Sequence, residues 1–273
     1  MKSAGKVFVV TGAGSGMGRE VVFELLRRGA RVAGVDISGK GLATTQQTAD
    51  SIKADGFAGF VVNVADRAAV QALPAQVLER FGAVDAVLNC AGIIQPFVRL
   101  KDLDDATIER VFDVNFKGTL FMVRAFLPTL LTRPTAHIAN VSSMGGFLPV
   151  PGQSIYGASK AAVKLMTEAL FAELQGTNVK VTVIFPGAVA TPIVANSGVT
   201  MHGGLDAAAA AKDAPKGKAL PADEAARQIV DGIEADKSRI YVGNDSAFLD
   251  KLYRLSPERA TLFIAKQMKS LLS

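Results

Sequence analysis

Tryptophan is absent from this chain of 273 residues, tyrosine occurs three times, histidine twice and cysteine once. Each shortage excludes a class of protein. One cysteine, Cys90, closes no disulfide within the chain, so a cystine-stapled secreted scaffold is excluded and a reducing cytosol is suited. The expected role for that thiol is a small buried hydrophobe. With no tryptophan and so little tyrosine, scant aromatic surface is left for stacking on bases. The formal charge of +5 is mostly spread along the chain rather than gathered in a reading module, and no nucleic-acid partner is expected. No apolar run approaches the ~18 residues of a membrane span, which predicts a soluble, cytoplasmic protein without stable membrane insertion. Met1 to Lys6 followed by V-F-V-V superficially resembles an export leader. Its apolar stretch is only a strand long and runs straight into Thr11-Gly12-Ala13-Gly14, so it reads as a first strand. No metal site is expected.

What the chain has in quantity is apolar residue, 49% of the total, enough to bury a substantial core without metals or disulfides. Short, nearly continuous apolar runs recur at 6–10, 31–35, 59–62, 85–88, 136–141 and 180–185, the pattern of parallel strands covered on both faces. Helical patterns lie between them at 17–28, 40–54, 67–80, about 105–130 and 155–174. Such alternation predicts right-handed crossovers and an α/β fold built on a doubly wound parallel sheet with helices on both faces. R-I-Y-V at 239–242 adds a candidate edge strand. No linker divides the chain, and a single domain over 1–273 is expected.

The least regular stretch, 188–220, holds Gly203-Gly204, an alanine run at 207–211, Pro215, Gly217 and Pro221 at its border. It follows the sixth strand at the edge where open α/β sheets bind ligands, and a substrate loop is expected there. Residues 246–273 read as C-terminal helices. Basic residues Arg239, Lys251, Arg254, Arg259, Lys266 and Lys269 outnumber acids beyond Ser238, and Ala260, Ile264, Met268 and Leu271 fall at helical spacing. Packing on the body or on a neighbouring subunit is the expected use of that face; a membrane-surface helix is the rival.

Thr11 to Gly18, T-G-A-G-S-G-M-G, leads from the first strand directly into a helix. Gly12, Gly16 and Gly18, with Ser15 and Met17 between them, allow a tight turn whose helix N-terminal amides face a pyrophosphate. Asp36 stands one β-α-β unit later, at the end of the second strand. A carboxylate there accepts from both adenosine ribose hydroxyls and repels a 2′-phosphate, and Ile37 follows where a phosphate site would want Arg or Lys. NAD is therefore the expected cofactor.

Tyr156 and Lys160, in Q-S-I-Y-G-A-S-K, set a phenol and an ammonium one helical turn apart. Such a pair alone is common. Here it belongs to an ordered set: T-G-A-G-S-G-M-G, Asp36, N-C-A-G at 89–92, V-N at 114–115, V-S-S at 141–143, Y-G-A-S-K at 156–160 and P-G at 186–187. With that set the chain resembles the short-chain dehydrogenase/reductase family, in its shorter Tyr-x-x-x-Lys branch, densely from residue 6 to about 192 and loosely beyond. The resemblance implies a single-domain Rossmann-like fold and a catalytic tetrad of Asn115, Ser143, Tyr156 and Lys160. Ser143 rather than Ser142 is implied because it lies thirteen residues before Tyr156, the family's usual spacing. It further implies that Asn89, Ala91 and Gly92 shape the cofactor crevice and that Pro186, Gly187, Val189 and Thr191 embrace the nicotinamide end. Two positions depart from the family pattern: Cys90 replaces the second Asn of the usual N-N-A-G, and Asn63, before Val64, stands where Asp often contacts adenine. Asn63 keeps a side-chain acceptor, and position 90 is expected to point into the core.

A phenol with its ordinary pKa of ~10 is a poor base at neutral pH. Lys160 and the nicotinamide charge are expected to make the phenolate accessible, so that Tyr156 exchanges a proton with the substrate oxygen while hydride moves between carbon and nicotinamide. Ser143 is expected to hydrogen-bond that oxygen. The resemblance gives Lys160 a second task on the cofactor ribose and gives Asn115 a relay water. Ile94, Gln95, Pro96, Met144, Phe147, Val150, Gln153, Ile193 and Met201 are expected to flank the pocket. Most are apolar, which favours a lipophilic secondary alcohol or ketone, hydroxysteroid-like or alicyclic. A homodimer or homotetramer through the helices near 105–130 and 155–175 is implied by resemblance. The main rival function is a dinucleotide-binding redox sensor without chemistry, against which the intact Ser143, Tyr156 and Lys160 count.

Overall fold

The computed structural model describes residues 1–199 and 219–268. Among these, seven strands form one parallel sheet in the order β3-β2-β1-β4-β5-β6-β7. The strands are β1 Val7–Thr11, β2 Arg31–Asp36, β3 Phe57–Val61, β4 Ala86–Asn89, β5 Ala136–Val141, β6 Val179–Pro186 and β7 Arg239–Val242. The five inner strands β2, β1, β4, β5 and β6 are buried along most of their length, which is why their sequence reads as nearly unbroken apolar runs. β3 lies at the sheet edge, where only Phe57 is buried and the positions after it are half-buried or exposed. Its pairing starts at Phe57, two residues before the expected run, because Phe57 and Ala58 pair with Val32 and Ala33 of β2.

Helices α1 Gly16–Arg27 and α2 Gly39–Ile52 join the first three strands, and α3 Arg67–Phe81 leads into β4. The helical pattern at 105–130 is not one helix. It comprises α4 Asp105–Phe112, a π-helical turn Asp113–Gly118, and α5 Thr119–Leu131. The extra residue per turn there carries Asn115 inward, fully buried. Such bulges inside helices frequently mark functional positions. α6 Ser154–Glu173 precedes β6, and a one-turn helix α7 Ile193–Asn196 lies within the expected substrate loop, whose residues 200–218 fall outside the described part. α8 Ala222–Glu234 leads into β7, and α9 Asn244–Leu255 and α10 Pro257–Gln267 follow it.

One apolar core lies between the sheet and α1, α2 and α8, another between the sheet and α3, α5 and α6. A satellite core joins Leu148 to Ala260 and Ile264, with Met144, Phe147 and Met268 packed beside them. The inner stripe of α10 is thereby used on the body of the protein; Leu271 lies outside the described residues. From β1 the chain winds toward β3, and from β4 it winds the other way. The carboxyl ends of β1 and β4 therefore bound the crevice where such sheets hold ligands.

Candidate active site

The turn after β1 is shaped by absent side chains. Gly12 and Gly16 adopt φ of +72° and +51°, which side chains disfavour. A Cβ on Gly18 would collide with the Gly12 carbonyl oxygen, and one on Gly14 would lie 2.8 Å from the Asp36 carboxyl carbon. Ser15, the N-cap of α1, uses its hydroxyl for no cap bond and instead accepts from the Asn196 amide at 2.8 Å.

Asp36, at the carboxyl end of β2, accepts from the Gly14 N–H and the Ser38 N–H, one per carboxylate oxygen, each at 2.8 Å. Each oxygen keeps a lone pair for a further donor. Arg19 spans the gap behind this acid, donating to the Thr45 hydroxyl at 3.0 Å and to the Gly14 carbonyl.

These residues open into a continuous cleft of about 1050 Å³ that runs from Asp36, Asn63 and Val64, over the glycine turn, to Ser143, Tyr156 and Lys160. A dinucleotide fits that shape: the backbone approaches closely where a pyrophosphate would lie, and an acid with spare acceptors stands one unit away.

Most residues expected at the cofactor line the cleft: Gly12, Ser15, Gly16, Met17, Gly18, Asp36, Ile37, Asn63, Val64, Ala91, Gly92, Pro186, Gly187, Val189 and Thr191. Asn89 does not. It lies beneath the floor, 3% exposed, and donates from its amide to the Asn140 side-chain oxygen at 2.8 Å. Asn63 does offer an acceptor, but that oxygen already takes the Ala65 N–H at 3.0 Å. Cys90 does not point wholly into the core: it is half-buried, packing partly against the core and partly lining the cleft, with its thiol pushed up to about 11 by burial. It is a protonated hydrophobe, not a nucleophile.

At the other end, Ser143 follows β5, and α6 carries Tyr156 and Lys160 in its first two turns. Lys160 is 4% exposed and donates to the Val141 carbonyl oxygen at 3.0 Å, with its ammonium 6.0 Å from the Tyr156 ring centre. Burial pushes its amine down to about 8. Burial also raises the Tyr156 phenol above its ordinary value, opposed by the Ser143 hydroxyl. Lys160 does not figure among the protein groups that move it. The expected depression of the phenol is thus absent from the protein's own electrostatics, because desolvation outweighs an ammonium this far off.

Asn115 lies behind the cleft wall. Its amide nitrogen donates to the Ile93 carbonyl at 2.9 Å and to the Ser159 hydroxyl at 3.0 Å, and its oxygen accepts from the Ile93 N–H at 2.8 Å. It ties the loop after β4 to α6, with one oxygen lone pair left.

Of the residues expected to flank the substrate, Ile193 lines the cleft. Met144 and Phe147 pack into the satellite core instead. Gln95 and Gln153 are buried and bonded to each other, and Met201 lies outside the described residues. Ile93, Val189 and Pro192 complete the apolar wall with Ile193. Sequence reasoning missed Arg19, Ile93, Asn196 and Ser197. Ser197 accepts from the Ile94 N–H at 3.0 Å across 103 residues, a contact that leaves no local signal.

The match to known proteins agrees with this geometry. The short chain dehydrogenase family model matches residues 6–201. The Mycobacterium tuberculosis protein SadH, named as an oxidoreductase, is 38% identical over 255 residues, covering 92% of this chain and 91% of its own length. A short-chain dehydrogenase/reductase from Burkholderia phymatum, solved in complex with NAD, superimposes with a TM-score of 0.82 at 29% identity, over 94% of this chain and 96% of its own. Levodione reductase superimposes with a TM-score of 0.81 at 28% identity, over 89% and 98% respectively.

Proposed function

The chain belongs to the short-chain dehydrogenase family, and within it we propose an NAD-dependent oxidoreductase that interconverts a secondary alcohol and its ketone. The observation that carries this reading is the convergence of Ser143, Tyr156 and Lys160 at one end of a cleft whose other end is the Asp36 carboxylate. When bound, NAD supplies the hydride acceptor or, reduced, the donor. The chain's own groups do the rest. Asp36 holds the adenosine ribose with the lone pairs its two amide bonds leave free. Lys160 holds the nicotinamide ribose. Tyr156, with a raised phenol, is protonated at neutral pH and gives its proton to a ketone oxygen, while Ser143 hydrogen-bonds the same oxygen as charge develops there. In the alcohol direction the phenolate must form first, so oxidation rises with pH. Gly92 lets the backbone pass between Lys160 and Asn115, since a Cβ there would crowd the Lys160 nitrogen at 3.1 Å and the Asn115 oxygen at 3.2 Å; Asn115 is the residue proposed to hold a relay water with its remaining lone pair.

The substrate is an apolar alicyclic or hydroxysteroid-like compound. Ile93, Val189, Pro192 and Ile193 support this, as does the likeness to a reductase of levodione. The protein is expected to be cytoplasmic and a homodimer or homotetramer, since Leu165 and Phe171 on α6 stand 67% and 42% exposed.

The test is a panel of lipophilic secondary alcohols and ketones with NAD(H) and NADP(H), run beside Tyr156→Phe, on protein whose mass is read by sedimentation equilibrium. Turnover with NAD that falls by about 10³-fold or more in the variant, with NAD still bound, is the expected result. Tight NAD binding without turnover on any compound would point to a redox sensor, a preference for NADP would overturn the role of Asp36, and a monomer would overturn the assembly.

A further inference from the structure

α6 begins without a cap of its own. Its N-cap residue, Gln153, makes no side-chain bond to the first-turn amides, although the first N–H groups of any helix lack partners within it. The missing acceptor comes from 60 residues upstream. Gln95, 0% exposed in the loop after β4, directs its side-chain oxygen at the N–H groups of Ile155 and Tyr156, at 2.8 and 2.9 Å. These are the second and third positions of the helix, the pair a local cap normally serves. The same amide donates to the Gly152 carbonyl at 3.0 Å, and Gln153 returns a bond to the Gln95 carbonyl at 2.9 Å. The arrangement is a reciprocal capping box built between two loops rather than within one.

We propose that Gln95 is a positioning residue for the reaction: it fixes the backbone of Tyr156 from outside the helix, and it does so with a neutral acceptor. The inference rests on the role given to Tyr156 above. Asp and Ser are more usual caps, but a carboxylate here would place a negative charge against the backbone of the residue that bears the phenol, within a buried region where charge is weakly screened, and so oppose the phenolate. An amide bonds the helix without that penalty. Its second function, as a donor to Gly152, needs the NH₂ that a carboxylate lacks.

Two variants separate geometry from charge. Gln95→Leu keeps the bulk and removes the cap; Gln95→Glu keeps the acceptor, adds a charge and gives up only the donor to Gly152. With the alcohol or ketone identified above, Gln95→Leu is expected to lower kcat about 10-fold or more with KM for NAD within 2-fold, since the loss is in the placement of one reacting group. Gln95→Glu is expected to recover most of kcat at high pH, with the alkaline rise of the oxidation profile moved up by about one pH unit.

The tyrosine resonances of ring-labelled protein with NAD bound give a readout independent of turnover, there being three tyrosines to resolve. The Tyr156 signal, assigned by its loss in Tyr156→Phe, should shift in both variants while Tyr241 and Tyr253 stay in place. A kcat for Gln95→Leu within 2-fold of wild type, a Gln95→Glu profile that coincides with wild type, or an unmoved Tyr156 resonance would each overturn the proposal. If no substrate turns over at all, a moved resonance still supports the positioning role while the dehydrogenase reading fails.

Discussion

The two rims of the sheet each hold acidic and basic side chains and put them to opposite uses. At the amino-terminal rim, Asp85 is 2% exposed and accepts from the Val7 N–H at 2.9 Å, with the Arg133 guanidinium at 2.8 Å and the Lys6 ammonium at 3.6 Å. His137, 1% exposed, bonds the Thr182 hydroxyl at 2.8 Å, and that hydroxyl donates to the Lys237 carbonyl at 2.6 Å. The Thr182 proton is thereby committed, so His137 is the donor through Nε2. At the carboxyl-terminal rim, Asp36 keeps lone pairs for a ligand, and Lys160 makes one bond where it has three donors. The lesson is that a polar group stabilises where protein fills its bonding capacity, as at Asp85, and can serve a ligand where capacity is left facing a cleft; the His137 Nδ1, buried without a partner, departs from that rule.

That contrast is broken most forcefully at Lys160. Lys160→Ala is expected to lower turnover by about 10³-fold, roughly 4 kcal/mol of transition-state stabilisation, with little change in the denaturation midpoint. Removing the equivalent group at the other rim should invert the pattern. Asp85→Ala orphans the buried Val7 N–H and two cations, and is expected to cost about 3 kcal/mol in urea unfolding at pH 7 with kcat within 2-fold. A turnover defect as large as that of Lys160→Ala would erase the distinction between the rims.

The smallest effect sharpens the comparison by pH. Burial pushes the His137 imidazole down to about 4 from its ordinary 6.5. The unfolded chain therefore takes up a proton at this residue before the native chain does. Its contribution is fully present above pH 6.5 and is lost as pH falls from there toward 4, about 2 kcal/mol of it by pH 4.5. Urea midpoints between pH 7 and pH 4.5 measure it. His137→Asn should flatten that slope, and an unchanged slope would show that other groups govern acid stability.

Local chemistry is what the chain announces of itself. The glycine turn and Asp36 are separated by one β-α-β unit, and Tyr156 and Lys160 by one helical turn, so short-range geometry alone aligns each pair. Apolar run lengths foretell the inner strands because those strands are buried on both faces. The edge strand β3 is misplaced by two residues since its pairing, not its hydrophobicity, sets where it begins. Asn89 reads as a crevice residue from its motif, but the pleat turns its side chain inward to Asn140. Phe147 and Met144 read as pocket walls until α10 covers them.

Periodicity and turn residues, which act over tens of residues at most, make the parallel α/β class and the glycine turn with its acid legible along the chain, while Ser143, Tyr156 and Lys160 are pointed to by motifs that resemble a known family. Three-dimensional packing alone set Gln95 as the cap of α6, joined Ser197 to Ile94, and buried the Tyr156 phenol so that it is raised instead of lowered. Those depend on which distant segments meet and how much water they exclude, and neither bonding partners nor desolvation is encoded in any one stretch of chain.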